Sequence, residues 1–575
     1  MKKKLTRIIA VLLSLLLLSG CSAEYLADFV EDYFSELISS VRHSIISMSS
    51  RVEKFSDIEY VRPDIKQISA DFKAVTEALE LGADIDELGE LLDTCYTNYF
   101  SFETMYTVAD IRSCQNVYDT YYAEELNWCS ENYSLVQQQL ENVLYACAAS
   151  ELAEELEDQY FWEGFTEDYA DASDSYYNDE AVALMQQESL LLSEYRALAA
   201  DSAAELAALP HGGDSYSLTC EVYARYNEDF ARIYIELVRV REALAELYGL
   251  DYEHMQYIYF FERDYTPEDA AAYLEDIRRC MVPVYTEIMA QNPYSEVYFD
   301  HLSENELLNT LDAVTELMGG EIRDAFEFMT DYEMYDIAYS QSKAAMSFQT
   351  YLSDYEAPFL FLDPYGDTED ILTLSHEFGH YTDAFVNYNA SETIDMSECY
   401  SQAMEYLALS YYDEVMSAED AANLRRIKLL DTLELYVQQA SFAEFESRVY
   451  AMGADALSAE VLNNLSLELA RDYGYLGEGQ EEYYAMSWSD ITHFFDYPFY
   501  IITYPVSNDI AMQVYELAQS GGTAGLEKYK ELLSREYEGF LDNIEEAGFK
   551  SPFAPGRIER VAEDMRYLMR STKAA

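Results

Sequence analysis

Only 11 prolines and 21 glycines interrupt the 575 residues of this chain, and that scarcity limits its fold more than any other feature. Proline stops a helix by removing a backbone donor and clashing with the preceding turn; glycine weakens one through backbone entropy. Residues 23–61 hold neither, and nor do residues 181–208, which are rich in the strong helix formers Ala, Leu and Glu. The predicted fold is therefore mainly α. The clearest break is Leu209-Pro210-His211-Gly212-Gly213-Asp214, which places a soft boundary near residue 210. It separates a helical N-terminal lobe, 21–210, from a region, 211–575, that carries the chemical signals described below. There is no internal repeat and no low-complexity tract.

Residues 1–20 read as a targeting segment rather than as fold. Lys2, Lys3, Lys4 and Arg7 form a basic start, and Ile8 to Leu18 form an apolar run too short to span a membrane comfortably. The run ends in Leu18-Ser19-Gly20-Cys21, which resembles the lipobox of bacterial lipoproteins. That resemblance implies cleavage before Cys21, lipid on its thiol, and anchoring to the extracytoplasmic side of the membrane. The formal charge is -74, which excludes nucleic-acid binding through backbone phosphates. So acidic a body also repels anionic lipid, leaving the lipidated Cys21 as the membrane contact. Seven further cysteines, Cys95, Cys114, Cys129, Cys147, Cys220, Cys280 and Cys399, are too sparse to define a disulfide framework. One bridge among the first four and a set of buried free thiols are equal readings. The 54 tyrosines are expected mostly at half-buried positions, ring inward and hydroxyl outward.

Strand signals gather in one place. Met346 to Leu352 alternate in polarity, and Ala357 to Leu362 form an apolar run of strand length. Pro364, Gly366 and Asp367 then make a turn. Thr368 or Asp367 is expected to cap a following helix, with Glu369 and Asp370 in its first turn. That helix contains His376-Glu377-Phe378-Gly379-His380. Histidines at i and i+4 project from one helix face and can hold a single zinc ion, while the adjacent Glu377 carboxylate can act as base toward its water. A third ligand is sought in residues 392–405, which read as a second helix. Glu398 lies 18 residues beyond His380, a spacing typical of zincins with a glutamate ligand. Cys399 could also bind zinc but sits about 100° around the helix from Glu398, so the two do not easily share one metal. Asp395 and Glu405 fall roughly on the Glu398 face. They suit hydrogen bonding to a ligand histidine; a solvated acidic face is the alternative reading.

These residues resemble the thimet oligopeptidase and oligoendopeptidase F family of zinc metallopeptidases. Thr373 to His380 resemble the family's zinc helix, and Glu398 with Ser401, Gln402 and Glu405 resembles its third-ligand helix. Arg263-Asp264-Tyr265-Thr266-Pro267-Glu268-Asp269 and Ala547-Gly548-Phe549-Lys550-Ser551-Pro552-Phe553 are also similar to family segments. The segment Trp488 to Tyr504 matches a family pattern through His493, Tyr500 and Tyr504. Ile502, where some relatives carry Tyr, and Ala344-Ala345, where the family often has glycine, depart from the pattern. The likeness covers roughly residues 220–575 and is faint before that.

The resemblance implies a two-lobed helical zincin of the gluzincin type, with a small sheet beside the zinc helix and a deep substrate channel. It implies one zinc per chain held by His376, His380 and Glu398, with Glu377 as general base. His493, Tyr500 and Tyr504 are expected to face the zinc across the cleft and stabilise the oxyanion. Tyr500 and Tyr504 stand at i and i+4, so one helix could present both. The expected substrates are short unfolded peptides, with no obligate protein partner evident. A peptide-binding envelope lipoprotein without catalysis, and a zinc hydrolase of cell-wall peptides, are the competing readings.

Overall fold

The computed structural model describes residues 54–161, 164–170, 177–209, 215–388, 393–534 and 539–571. The N-terminal segment with Cys21, most of the 209–214 break, and Glu392 lie outside the described residues. Helices dominate, and a single three-stranded sheet is present among the described residues. Packing divides the described residues into two compact units, each drawn from three separate stretches of sequence: the described parts of 1–183, 301–408 and 526–543 form one, and those of 184–300, 409–525 and 544–575 form the other. No helix among the described residues is long and apolar enough to cross a membrane.

Among the described residues, the N-terminal part of the first unit is built on helices Ile65–Leu81, Ile85–Gln115 and Thr120–Ala148. Each begins at an aspartate, Asp64, Asp84 or Asp119, whose carboxylate accepts backbone N–H groups of the first turn. These are donors the helix itself cannot satisfy. Phe72, Val75, Leu92, Tyr99, Phe102, Val136, Leu140 and Leu144 make their common core. The sheet follows. Strand β1 is Tyr335–Asp336, β2 is Phe348–Leu352 and β3 is Ala357–Phe361. The order is β1-β3-β2; β1 runs parallel and β2 antiparallel to β3, pairing Phe348 with Phe361 and Leu352 with Ala357. β3 is buried along its whole length, as its unbroken apolar sequence requires. The buried Lys343 amine fastens β1 to the end of β3. It donates to the Leu362 carbonyl at 2.7 Å and pairs with Asp336 at 2.7 Å.

The turn after β3 differs from its expected form. The helix runs Asp370–Val386, and its N-cap, Glu369, makes no side-chain cap bond. Asp370 gathers the turn instead, accepting from the backbone N–H groups of Tyr365 (2.8 Å), Gly366 (2.7 Å) and Asp367 (3.0 Å). Asp367 contributes one bond, to Glu369 N–H, and Thr368 contributes none. A carboxylate one position into the helix can reach back over the three preceding amides, which a cap at 367 or 368 cannot.

In the second unit, Thr266 and Asp269 form a reciprocal capping box at the start of helix Pro267–Met289, with Pro267 in the first turn. Two of the segments singled out in the sequence meet here, where Phe553 packs against Tyr265 at 4.6 Å and Tyr273 at 5.4 Å. None of the seven cysteines from Cys95 to Cys399 is in a disulfide among the described residues, and all are buried except the half-buried Cys280. Tyrosine goes deeper than expected. Tyr99, Tyr234, Tyr381, Tyr400, Tyr406, Tyr412, Tyr436, Tyr473 and Tyr529 are among the largest fully buried side chains.

Candidate active site

Helix Asp370–Val386 is buried on most of its surface, so its two histidines emerge from a fixed base. Gly379, between Glu377 and His380, lies against helix Ile394–Val415. A Cβ at this position would come within 2.5 Å of the Ser401 Cα and 2.7 Å of the Tyr400 carbonyl oxygen. Only glycine permits so close a crossing, and the crossing brings Glu398 to the histidines.

His376 Nε2 lies 3.5 Å from one Glu398 oxygen, and His380 Nε2 lies 3.7 Å from the other. One ligand atom from each of His376, His380 and Glu398 falls within 4.8 Å of the other two, a group able to hold a metal ion. The far edges of both rings are tethered. His376 Nδ1 is 3.0 Å from Glu405 Oε1, and His380 Nδ1 is 3.0 Å from Ser397 Oγ. These bonds orient both Nε2 atoms toward the shared point. Ser401 Oγ donates to Glu398 Oε2 at 2.8 Å. Burial opposes charge on His376, yet Glu398 and Glu405 outweigh it and lift its pKa to about 9. The carboxylates therefore draw positive charge to this point. Two imidazoles and one carboxylate are a donor set suited to catalytic zinc, with a fourth position left for water or substrate. Burial pushes the neighbouring Glu377 carboxyl up to about 7.

Of the acids expected behind the ligands, Glu405 makes the hydrogen bond to a histidine. Asp395 is fully buried rather than solvated, but the hydrogen bond to His380 comes from Ser397. That serine had no signal in the sequence, because its role depends on where the Glu398 helix crosses. Cys399 is buried and is not among the grouped donors.

The second unit brings His493, Tyr500 and Tyr504 together. His493 Nε2 lies 3.1 Å from Tyr504 Oη, and the three ring centroids are 5.3, 5.7 and 5.4 Å apart. One helix does not present both tyrosines, contrary to the i, i+4 reading. The helix is Thr503–Gln519, and Tyr500 lies in the turn before it. Phe499 interrupts regular structure there with a φ of 65°, in the left-handed region that side chains rarely enter. Ile502 is buried.

Mainly helical architecture, a small sheet running into an HExxH helix, and a glutamate from a second helix together define a zincin-like metallopeptidase fold. Residues 55–167 match the Peptidase M3 N-terminal domain, and residues 321–536 match Peptidase family M3. The chain is similar to peptidase family M3 over these two stretches, and its N-terminal helices, where the motifs were faint, are part of that likeness. It is 28% identical over 204 residues to oligoendopeptidase F, chromosomal, of Lactococcus lactis subsp. cremoris, covering 33% of each chain. It is 25% identical over 205 residues to oligopeptidase PepF of Bacillus subtilis strain 168, covering 33% of this chain and 30% of that one. The matched stretch thus spans about a third of these curated relatives. Among solved structures, PZ peptidase A with inhibitor 2 shares the fold at a TM-score of 0.78 and 22% identity, over 91% of this chain and 100% of that one.

Proposed function

We propose that the protein is a zinc-dependent oligoendopeptidase that hydrolyses short, unfolded peptides at the outer face of the cell membrane. The observation that carries this reading is the convergence of His376, His380 and Glu398 donor atoms, with Glu377 beside the first histidine. When bound there, zinc supplies a Lewis acid that polarises the scissile carbonyl and acidifies water. Glu377 takes the proton from the attacking water and later gives it to the leaving amine. Its burial supports this, because burial raises the proton affinity of the carboxyl and so suits it to accept and return a proton. Glu405 and Ser397 keep the histidines turned inward. His493, Tyr500 and Tyr504 supply neutral donors to the oxyanion, as the family resemblance implies. β2 is an edge strand of its sheet, which supports backbone pairing with an extended peptide.

Metal analysis and a quenched-fluorescent peptide assay test this reading together. Glu377→Gln is expected to keep about one zinc per chain and to lose nearly all turnover, on the order of a thousandfold or more. Substantial turnover in that variant would remove Glu377 from the mechanism. A zinc-free protein that still binds peptides would favour the binding-protein alternative. Anchoring through Cys21 is part of the proposal, supported by the basic start, short apolar run and lipobox-like Leu18 to Cys21. Cys21→Ser is expected to release the protein from the membrane fraction.

A further inference from the structure

The turn that carries Tyr500 is held by groups to which nothing above assigns a role. Phe499 sits in the left-handed region with its ring buried against Tyr450 at 5.0 Å and Tyr252 at 6.2 Å. Both of its backbone polar groups are taken by buried polar side chains. Its N–H donates to Glu446 Oε1 at 3.0 Å, and its carbonyl accepts from Arg263 Nη2 at 3.0 Å. The same Nη2 donates to Thr503 Oγ1 at 2.8 Å, at the first residue of the helix that carries Tyr504. The Arg263 guanidinium lies over the rings of Tyr257 at 4.4 Å and Phe261 at 4.5 Å. Phe261 in turn lies 6.1 Å from the Tyr500 ring. Upstream, the fully buried Arg241 donates to the carbonyls of Phe494, at 3.1 Å, and Phe495, and is itself anchored by Glu188 at 2.6 Å. The backbone is thus gripped just after His493 and just before Tyr500, and the Thr503 side chain just before Tyr504.

We infer that Arg263 and Glu446 are positioning residues, which hold Phe499 in its left-handed turn and so aim the Tyr500 hydroxyl. This rests on the reading of Tyr500 as an oxyanion donor. Strained backbone persists only where its surroundings over-determine it, and such turns cluster at functional sites. An ordinary loop would relax by turning Phe499 to negative φ, which would swing Tyr500 away from His493 and Tyr504. Burial pushes the Glu446 carboxyl up to about 8; Arg241 and Arg263 pull it down and Glu253 raises it further. It is therefore mostly the neutral acid at pH 7, and an amide keeps its acceptor oxygen without adding charge.

The test is a double-mutant cycle between Glu446→Leu and Tyr500→Phe, with Glu446→Gln as the conservative control. Peptide kcat and KM are measured alongside zinc content and circular dichroism. Glu446→Leu is expected to lower kcat by about ten- to a hundredfold, the scale of a small misplacement of a reacting group, with KM within about twofold and zinc unchanged. Glu446→Gln is expected to stay within about threefold of the parent, and Glu446→Leu to add less than about threefold once Tyr500 is Phe. If Glu446→Leu does not fold, Arg263→Lys, which keeps the cation and loses the fork, takes its place in the cycle. A loss that multiplies fully with that of Tyr500→Phe, or no loss, overturns the inference and leaves the oxyanion reading intact. A Tyr500→Phe enzyme with unchanged kcat overturns both.

Discussion

Glu405 and Ser397 show how much of a metal centre lies behind its ligands. Each meets the Nδ1 edge of a histidine whose Nε2 edge faces Glu398. Removing either frees a ring to rotate without removing a ligand. Glu405→Ala is expected to weaken zinc binding by about 10- to 100-fold, and Ser397→Ala by less, since it removes a neutral partner. Competition with a chromophoric chelator reads both. Equal affinity in Glu405→Ala and the parent would mean that the ring is held by packing alone. Glu405 was within reach of the sequence because it shares the Glu398 helix face at seven residues' distance. Ser397 was not, because its helix face alone says nothing about which histidine it will meet.

At the scale of elements, the crossing of Asp370–Val386 over Ile394–Val415 at Gly379 is the decisive contact. At an exposed helix-interior site, Gly→Ala stabilises by about 1 kcal/mol. Here the added methyl meets backbone at 2.5 Å, which cannot move aside as a side chain can. Gly379→Ala is expected to destabilise by roughly 1–3 kcal/mol and to weaken zinc binding with it, because the wider crossing carries Glu398 away. Denaturant unfolding and a zinc titration on one variant check the two together. A stability gain would mean that the helices have room. The strands were legible from polarity alternation and an apolar run, since both are local. The Tyr500 and Tyr504 spacing misled for the opposite reason. Helical register assumes an unbroken helix, and the left-handed Phe499 is set by Glu446 and Arg263, distant in sequence.

Over the whole molecule, charge and burial pull stability the same way with pH. Burial raises the carboxyls of Glu103 to about 7, Glu262 to about 8, Glu446 to about 8 and Asp490 to about 6. Each folded value lies above the ordinary carboxylate value. The folded state therefore holds the extra protons between about pH 4.5 and 8, and its stability falls as pH rises through that window. The formal charge of -74 adds self-repulsion as carboxylates ionise. The thermal midpoint, measured with chelator so that metal binding does not titrate too, is expected to fall from pH 5.5 to 8.5 and to recover partly with salt. A midpoint that rises over that range would show these carboxyls to be ionised and paired. The sequence by itself determined the helical class, the HEFGH pair with its base, and the Glu398 helix. These rest on local propensity and on periodicity along one helix, which need no knowledge of distant partners. Only the tertiary structure decided the buried tyrosines, the interleaving of two units from six stretches of chain, the Gly379 crossing and the clamp on Phe499. Each depends on which segments meet, and that is set by packing between residues tens to hundreds of positions apart.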